Sequence, residues 1–312
     1  MSSGNAAGIS RCAVLTQLEC VANVSEGRDR RVLGVLAEAC GDVLRDLHVD
    51  PDHHRSVFTL AGPGRAVEAA ARSLAGAAVE ALDLSRHEGA HPRFGVLDVV
   101  PFVPLADPGP LTAPAAAAAD LGPAVAARDA FASWAAATLG LPCFLYGPLA
   151  GGGARSLPEV RRGAFVTLAP DCGPVAAHPT AGAVAVGARP LLVAYNLWLE
   201  GADVAVARAV AAALRGPSLR ALGLALGPGV QVSCNLLDPL AVGPADVYDR
   251  TAALLRPDAL GACGARIRRA ELVGLVPAAL LDAVDPARWE ELDLSPDRAI
   301  ESRLGRPPPP TR

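Results

Sequence analysis

The hydrophobic and polar positions in the first third of the chain follow two alternating periods. Short apolar runs typical of strands alternate with longer stretches in which apolar residues recur every three to four positions, which indicates helices. The resulting order, strand, helix, strand, strand, helix, strand, is that of a ferredoxin-like βαββαβ unit. The runs that carry it are ECVANVSEG, DRRVLGVLAEAC, DVLRDLHVD, RSVFTLAG, RAVEAAARSLAGAAVEAL and FGVLDVVPFV.

The C-terminal part of the chain repeats this order of periods. Its runs are PLLVAYNLWL, DVAVARAVAAALR, RALGLAL, VQVSCNLLD, VYDRTAALL and RIRRAELVGLVP. We therefore predict an α/β (α+β) protein with two tandem ferredoxin-like βαββαβ subdomains, residues 1–190 and 191–312. Each subdomain should be an α/β sandwich, in which helices cover a sheet.

The stretch between the two units differs from both in composition. It contains a helical run over residues 131–139, the strand LPCFLYG and a Gly- and Pro-rich segment, residues 147–187, which we interpret as the seam. Residues 108–127 are rich in Ala and Pro, which predicts a loop that leads into a weak helix. The terminal RPPPPTR predicts a disordered tail.

The basic residues of the chain are all arginine. None of the 28 Lys+Arg residues is lysine, so a Schiff-base lysine, a Walker A lysine and a kinase lysine are excluded. Of the 312 residues, 51% are hydrophobic and 19% charged, with a net charge of -4, which predicts a globular protein. The chain has no sustained basic stripe, which argues against a nucleic-acid partner.

The cysteines form an odd, scattered set without a C-x-x-C pair. This pattern indicates reduced thiols in the cytosol and gives no support for structural zinc. The N-terminus lacks the features of a signal peptide, and no apolar segment reaches membrane-spanning length, so we expect a soluble cytoplasmic protein without a membrane partner. The seven cysteines are Cys12, Cys20, Cys40, Cys143, Cys172, Cys234 and Cys263.

All six histidines lie before residue 179 and none lies in the second unit; they are at predicted strand ends or in loops, where catalytic groups often collect. Taken singly, His53, His54 and His87 are better explained by turn capping or a solvent-facing position than by a functional role. His87 and His91 are four residues apart, but the Glu-Gly-Ala spacer and the following proline argue against a shared helix face. A metal site remains conceivable, although no ligand motif supports one and we predict none. Its ligands would be Asp50, His53, His54, His87 and His91.

A series of segments, in order over about residues 19–281, resembles the formiminotransferase domain of the glutamate formimidoyltransferase family. Each segment alone is a weak signal, but the ordered series is highly specific. The segments are ECVANVSEG, VDPDHHRSVFTLAGP, LSRHEGAHPRFGVLDVVPFVP, LPCFLYG, LPEVRRG, PDCGP, HPTAGAVAVGARPLLVAYN, QVSCNLLDP and ELVGLVP.

The resemblance implies two ferredoxin-like subdomains, a folate site in a cleft between them and a homodimer formed through the N-terminal subdomain. It also implies transfer of a formimino group from N-formimino-L-glutamate to N5 of tetrahydrofolate, a step of histidine degradation and one-carbon metabolism. No metal cofactor is expected. The chain ends at residue 312 without a helical cyclodeaminase domain, so we expect a monofunctional transferase.

By resemblance, the catalytic histidine is His91 of the HPR triplet, whereas His87 is expected to maintain the loop. Asp50 matches an acidic position after the second strand, where it would orient the imidazole or stabilise the cationic formimino group. Arg55, Arg93 and Arg189 are candidates for binding substrate carboxylates, with plain salt bridges as the alternative. The folate-binding stretch maps onto Gly173, Pro174, Val175, Ala176, Ala177, His178, Pro179, Thr180, Ala181 and Gly182.

Three departures from the family pattern affect the expected cleft. Residues 163–170 form a shortened stretch, Cys172 stands where phenylalanine is commoner, and residues 108–127 are unusually rich in Ala and Pro. Two other function classes stay open beside a metal hydrolase. One is a transferase that uses N-formylglutamate, and the other is a non-catalytic folate-binding paralogue.

Overall fold

A computed structural model of the protein describes residues 16–88, 93–105, 120–227, 229–259 and 264–304. The first of its two sheets has seven strands in the order β2-β3-β1-β4-β7-β5-β6. The strands are β1 Gln17–Val24, β2 Leu44–Asp50, β3 Arg55–Pro63, β4 Leu97–Pro104, β5 Cys143–Pro148, β6 Ala154–Arg155 and β7 Val184–Ala188. The helices of this part are α1 Arg30–Cys40, α2 Gly64–Ala81, α3 Gly122–Leu139 and α4 Leu157–Gly163.

The second sheet has four strands in the order β11-β8-β10-β9, and all neighbouring strands are antiparallel. Its strands are β8 Val193–Glu200, β9 Leu219–Leu226, β10 Gly229–Leu236 and β11 Arg266–Val273. The helices that follow the first sheet are α5 Val204–Leu214, α6 Pro244–Leu254, α7 Ala278–Asp282 and α8 Ile300–Arg303. Both this sheet and strands β2-β3-β1-β4 of the first have the ferredoxin-like strand order, so the predicted fold class is confirmed.

Each sheet buries one face under helices. In β1, the alternate residues Leu18, Cys20, Ala22 and Val24 enter the core shared with α1, α2 and α3, because successive side chains of a strand point to opposite faces. In β8, Tyr195 and its alternate neighbours enter a second core with α5. The remaining faces therefore carry the polar strand residues, among them Glu19 and Asn196.

The Gly- and Pro-rich segment, residues 147–187, is not only a connection between the two units, because it also adds strands to the first sheet. It contains β6, α4 and all but the last residue of β7, and β7 inserts between β4 and β5, parallel to both. The run VAVGA is only five residues long and made of small residues, so its strand signal was weak. Helix α3 begins at Gly122, nine residues before the helical run recognised in the sequence. The Ala/Pro-rich residues 106–119 and the tail residues 305–312 lie outside the described residues.

The polar faces of the two sheets lie against each other at several points. A small apolar cluster of Ala61, Leu105, Leu275 and Ile300 joins β3 to the region after β11. Gly274 packs on the hydroxyl of Thr59, where a Cβ would lie 3.2 Å from Oγ1. No helix among the described residues is both long and apolar enough to cross a bilayer.

Candidate functional site

Several strand ends meet at one edge of the first sheet, which we call the site edge. β1 and β2 end there, whereas β3, β4 and β7 begin there, because β1 is antiparallel to β3 and β4, and β4 is parallel to β7. The backbone N–H of Ser25 donates to the carbonyl of Val96 at 2.7 Å, and that of Val96 donates to Ala181 at 3.0 Å. These bonds bring loops from three parts of the chain together.

Asp50 organises the turn between β2 and β3. Its Oδ1 accepts a hydrogen bond from the backbone N–H of His53 at 2.8 Å, and its Oδ2 lies 3.3 Å from Nδ1 of the same residue. Aspartate favours such turns because its short side chain reaches the backbone a few residues later. Burial lowers the pKa of His53, against the opposing effect of the Asp50 carboxylate, so the imidazole is neutral near pH 7.

Glu26 organises the loop after β1. Its Oε1 accepts hydrogen bonds from the backbone N–H groups of residues 27–29 at 2.6 to 2.9 Å and lies 3.2 Å from Nε2 of His54. Burial opposes ionisation, but these donors and His54 lower the pKa of Glu26, so the carboxylate is charged. Glycine is required at Gly27, since a Cβ would collide with the backbone oxygen of Asp50.

Arg93 fastens the segment before β4 to the β2–β3 turn. Its Nη1 donates to the carbonyl oxygen of His54 at 2.9 Å, and its Nη2 donates to that of His53 at 2.8 Å. Nη1 also lies 2.9 Å from Nδ1 of His87, whose ring stacks on that of His54 with centroids 4.0 Å apart. Burial and the charge of Arg93 lower the pKa of His87, which favours a neutral ring that accepts from the guanidinium.

A buried carboxylate with two arginines lies beside this turn. Asp98 is 1% exposed, and its Oδ2 accepts from Nη2 of Arg161 at 2.6 Å and lies 3.3 Å from Nη1 of Arg55. Burial opposes ionisation of Asp98, but the two guanidinium groups lower its pKa. Burial lowers the pKa of Arg55 to about 10, so Arg55 remains charged at neutral pH. Its Nε donates to Oδ1 of Asn23 at 2.9 Å, which fixes the plane of the guanidinium.

Glu271 of β11 brings a carboxylate from the second sheet to the site edge. Its Oε1 lies 3.9 Å from Nε2 of His48 in β2. His48, Asp50 and Glu271 each place one potential ligand atom within 4.8 Å of the others. Burial opposes ionisation of Glu271, but its hydrogen-bond donors and His48 lower its pKa. The donors to Oε2 are Asn196 Nδ2 at 3.2 Å, Trp198 Nε1 at 3.0 Å and Gln231 Nε2 at 3.4 Å.

The predicted folate-binding stretch, residues 173–182, lies next to the site edge through its last residues. The carbonyl oxygen of Thr180 accepts from the backbone N–H of Leu84 at 2.7 Å. Gly182 has a φ of 72° and forms a bridge with Gly95, and a Cβ at Gly182 would collide with the carbonyl oxygen of Phe94. The stretch therefore packs on the segment that leads into β4.

The first part of the stretch faces solvent. Residues 173–177 are exposed, and Val175 is 82% exposed, which is unusual for an apolar side chain. His178 closes the following turn, since its Nδ1 accepts from the backbone N–H of Ala181 at 3.0 Å. This bond places the proton of the neutral ring on Nε2.

The structure brings some of the predicted site residues together and separates one. Asp50, Arg55 and Arg93 meet at the site edge. Arg189 follows the end of β7, at the opposite edge of the sheet, and its Nη1 donates to the carbonyl oxygen of Pro190 at 3.0 Å. His91 lies outside the described residues, so its role stays a prediction.

The ligand set considered for a metal is engaged in other contacts. Nδ1 of His54 lies 2.8 Å from the carbonyl oxygen of Glu88, and Nε2 of His87 lies 3.1 Å from that of His54. Within the described part of the chain, the group whose ligand atoms converge is instead His48, Asp50 and Glu271. The expectation that the protein needs no metal stays a prediction.

Several polar residues of the site were not singled out from the sequence. Glu26 could have been found from the sequence as a carboxylate at the end of a strand, followed by Gly-x-Asp. Glu271 could have been found from the alternation of residues along its strand. In RIRRAELV, Ala270 and Leu272 enter the core, so Arg269 and Glu271 must point to the opposite face. Which polar residues of the other strands surround Glu271 depends on register, which the pattern does not give.

Comparison with known proteins finds a matching family model and several similar proteins. The family model of the formiminotransferase domain, N-terminal subdomain, matches residues 17–189. The chain is 35% identical over 290 residues to the glutamate formimidoyltransferase of Streptococcus pyogenes serotype M1, covering 86% of this chain and 92% of that protein. It is 34% identical over 299 residues to the glutamate formimidoyltransferase of Thermoplasma acidophilum, covering 88% and 92%.

A longer relative is the formimidoyltransferase-cyclodeaminase of Sus scrofa. The two are 35% identical over 321 residues, which covers 92% of this chain and 56% of that protein. The chain thus spans about half the length of the curated cyclodeaminase-containing relatives that it matches. The extent of these matches over both sheets shows that the chain belongs to the formiminotransferase family.

Proposed function

We propose that this protein transfers the formimino group of N-formimino-L-glutamate to N5 of tetrahydrofolate. Two relatives that match this chain over nearly their whole length are named glutamate formimidoyltransferase. The chain retains Asp50, His91 and the GPVAAHPTAG stretch on which the resemblance rests. These residues argue for catalysis and against a folate-binding paralogue without activity.

The anchoring of Arg93 is the observation that carries this proposal. Its two donors to the carbonyls of His53 and His54 hold the chain that follows His91 against the turn that begins at Asp50. Arg93 belongs to the HPR triplet and follows His91 by two positions in the sequence, so its contacts with the turn of Asp50 support a shared role for His91 and Asp50. A histidine and a carboxylate suit proton transfer to and from nitrogen.

The transfer requires one proton to move between two nitrogens. N5 of the folate attacks the amidine carbon, and the bond between that carbon and the glutamate nitrogen then breaks. His91 takes the proton from N5 as general base and delivers it to the departing glutamate nitrogen as general acid. Asp50 orients the imidazole or stabilises the positive charge of the tetrahedral intermediate.

A buried acceptor atom on the polar face of the first sheet supports a folate site there. Oε2 of Glu19 accepts no hydrogen bond from any described residue, although its side chain is buried. Buried polar atoms normally have partners, and folate offers several N–H donors. Arg189, at the opposite edge, is suited to a carboxylate at the far end of the folate tail.

Further properties of the protein belong to the same proposal. Residues 1–190 and 191–312 act as two subdomains, with tetrahydrofolate as the co-substrate and no metal required. The protein works in the cytoplasm, as a homodimer formed through the N-terminal subdomain, in histidine degradation and one-carbon metabolism. Arg55 and Arg93 contact substrate carboxylates in addition to the protein groups that hold them.

A spectroscopic assay with tetrahydrofolate and N-formimino-L-glutamate, run beside N-formyl-L-glutamate, tests the activity. Formation of 5-formiminotetrahydrofolate is the expected result. A folded protein that binds folate but turns over neither donor would support the non-catalytic alternative. Turnover of the formyl donor alone would assign the formyltransferase activity instead.

A further inference from the structure

The carboxylates of Glu271 and Asp50 approach each other from the two sheets. With His48 they place ligating atoms within 4.8 Å of one another, although their positions in the sequence are far apart. The side chains of Asp50 and Glu271 are each 13% exposed, so a ligand can still contact them. Two like charges this close repel each other, and the Arg269 guanidinium, 3.3 Å from Oε1 of Glu271, offsets this repulsion from a half-exposed position.

Glu271 is held rigidly through one of its two oxygens. Oε2 accepts from the side chains of Asn196, Trp198 and Gln231, which fixes the carboxylate plane. Oε1 has longer contacts, at 3.9 Å to Nε2 of His48 and 3.3 Å to Nη1 of Arg269. Arg269 is half exposed, and ion pairs of exposed side chains contribute little, so Oε1 remains able to accept from a ligand.

Gln231 supplies an independent sign of a missing donor. The residue is 0% exposed, and its amide nitrogen donates to Glu271 at 3.4 Å. Its amide oxygen, which belongs to the same planar group, accepts no hydrogen bond from any described residue. Leaving a buried carbonyl without a partner is costly, so an N–H donor beside Glu271 would stabilise this arrangement.

The two possible substrates that donate the transferred group, N-formimino-L-glutamate and N-formyl-L-glutamate, differ in the charge of that group. A formimino group is an amidine, and its protonated form is a planar cation with several N–H donors. A formyl group is a neutral carbonyl with a single amide N–H. A pair of fixed carboxylates favours the cation, because charge-assisted hydrogen bonds are about twice as strong as neutral ones.

We propose that Glu271, together with Asp50, binds the formimino cation of the donor and makes the protein select formimino over formyl donors. This inference rests on the proposed function, since it concerns the donor of that same reaction. Glu271 is a specificity-determining residue, and it acts from the second sheet. Selectivity would thus depend on the contact between the two sheets.

The test compares Glu271→Gln with the wild type on both donors, at saturating tetrahydrofolate. The amide keeps the size of the side chain and an acceptor oxygen, but it removes the charge. We expect kcat/KM for N-formimino-L-glutamate to fall by about 10- to 100-fold, mostly through KM, while that for N-formyl-L-glutamate changes by less than about threefold. Glu200→Gln is the matched control, because Glu200 is a half-exposed strand residue paired with Arg266.

A second measurement needs no variant and therefore does not depend on folding of Glu271→Gln. Formamidinium chloride should inhibit the wild type competitively against N-formimino-L-glutamate, whereas formamide at the same concentration should not. An unchanged ratio of the two kcat/KM values in folded Glu271→Gln, or equal inhibition by the two small molecules, would overturn the proposal. Loss of activity in EDTA, restored by a divalent cation, would overturn it in favour of a metal site.

The outcomes also separate this inference from the proposed function. If the wild type transfers the formimino group and Glu271→Gln retains the same selectivity, only the role of Glu271 is wrong. If the wild type transfers neither group, the proposed function fails and the role of Glu271 fails with it. Calorimetry of donor binding, performed on wild type and variant, gives a readout that does not require turnover.

Discussion

Arg93 donates two hydrogen bonds to the β2–β3 turn, and the bond from its Nη1 to the carbonyl oxygen of His54 is 2.9 Å long. The turn and the segment before β4 are far apart in the sequence. Arg93 therefore supplies a long-range contact that joins them. A lysine could not do the same, since one compact ammonium lacks the planar fork that reaches two carbonyls. We therefore compare variants of His91 with a variant of His87, which contacts Arg93.

We predict that His91→Ala and His91→Asn lose transferase turnover while their fold and folate affinity stay near those of the wild type. General acid–base groups typically contribute about 10² to 10⁴ in rate, and the loss should fall in that range. The measurement is kcat at saturating substrates, with circular dichroism to verify folding. Wild-type activity should also fall on the acid side as an imidazole protonates, since only the neutral ring accepts the N5 proton.

His87→Ala is the control for that experiment. His87 contacts the carbonyl of His54 and the guanidinium of Arg93, so its loss should weaken the loop but leave much of the activity. Equal kcat values for the wild type and His91→Ala would remove the proton-transfer role of His91.

Reduced folate should bind once per chain without added metal. The buried acceptor oxygen of Glu19 offers a partner to an N–H group of the folate, and the His91 mechanism requires no metal ion. Isothermal calorimetry with tetrahydrofolate or folinic acid, in the presence of EDTA, measures this directly. An absence of heat at submillimolar ligand, in folded protein, would contradict the folate assignment.

Asp98→Asn should destabilise the protein by about 3 kcal/mol, because removing one partner of a buried ion pair is costly. Both Arg55 and Arg161 would lose their shared counter-charge. Urea unfolding at pH 7 gives the free energy of unfolding of each protein. Asp258→Asn is the control, because its side chain is 75% exposed and should change stability little. Similar stability of the two variants would show that the ion pairs of Asp98 are dispensable.

Glu19→Gln should stabilise the protein at alkaline pH and not at acid pH. Burial raises the pKa of Glu19 from 4.5 to about 7, against the opposing charge of Arg189. The neutral form of Glu19 therefore contributes its full share to the free energy of unfolding of the wild type below pH 4.5. This contribution is lost as pH rises through about 7. Glutamine stays neutral throughout, so the variant should gain up to roughly 3 kcal/mol over the wild type by pH 9.

Unfolding free energies measured at pH 4.5 and at pH 9 test this dependence. Glu38→Gln serves as control, because Glu38 is exposed on α1 and its replacement should give no comparable difference. A gain in Glu19→Gln that is equal at both pH values would mean that folding does not raise the pKa of Glu19.

The periodicity of the sequence predicted both ferredoxin-like orders, because each apolar run is confined to one face of one element. Leu18 to Val24 and Tyr195 with its neighbours show this directly, since alternate residues enter the cores. Strand β7 was missed because a short run of small residues gives little periodic signal. Its place between β4 and β5 is a long-range pairing that only the complete sheet determines.

The candidate site was predictable only in part. The resemblance pointed to Asp50, and guanidinium chemistry singled out Arg55 and Arg93 as candidates; the structure places these three residues at the site edge. The partners of those residues could not be derived, because they depend on how strands register and on how the two sheets face each other. The contact of His48 with Glu271 is one such case, and the pairing of Arg55 with Asp98 is another.

Glu271 belongs to β11, the last strand among the described residues, whereas Asp50 ends β2. During synthesis, every strand of the seven-stranded sheet leaves the ribosome before β11 has been made, and folding generally begins from the N-terminal part. The nascent chain can thus bury its first core while the carboxylate that faces Asp50 does not yet exist. A ligand that contacts both sheets would then favour the final step of assembly, in which the second sheet meets the first.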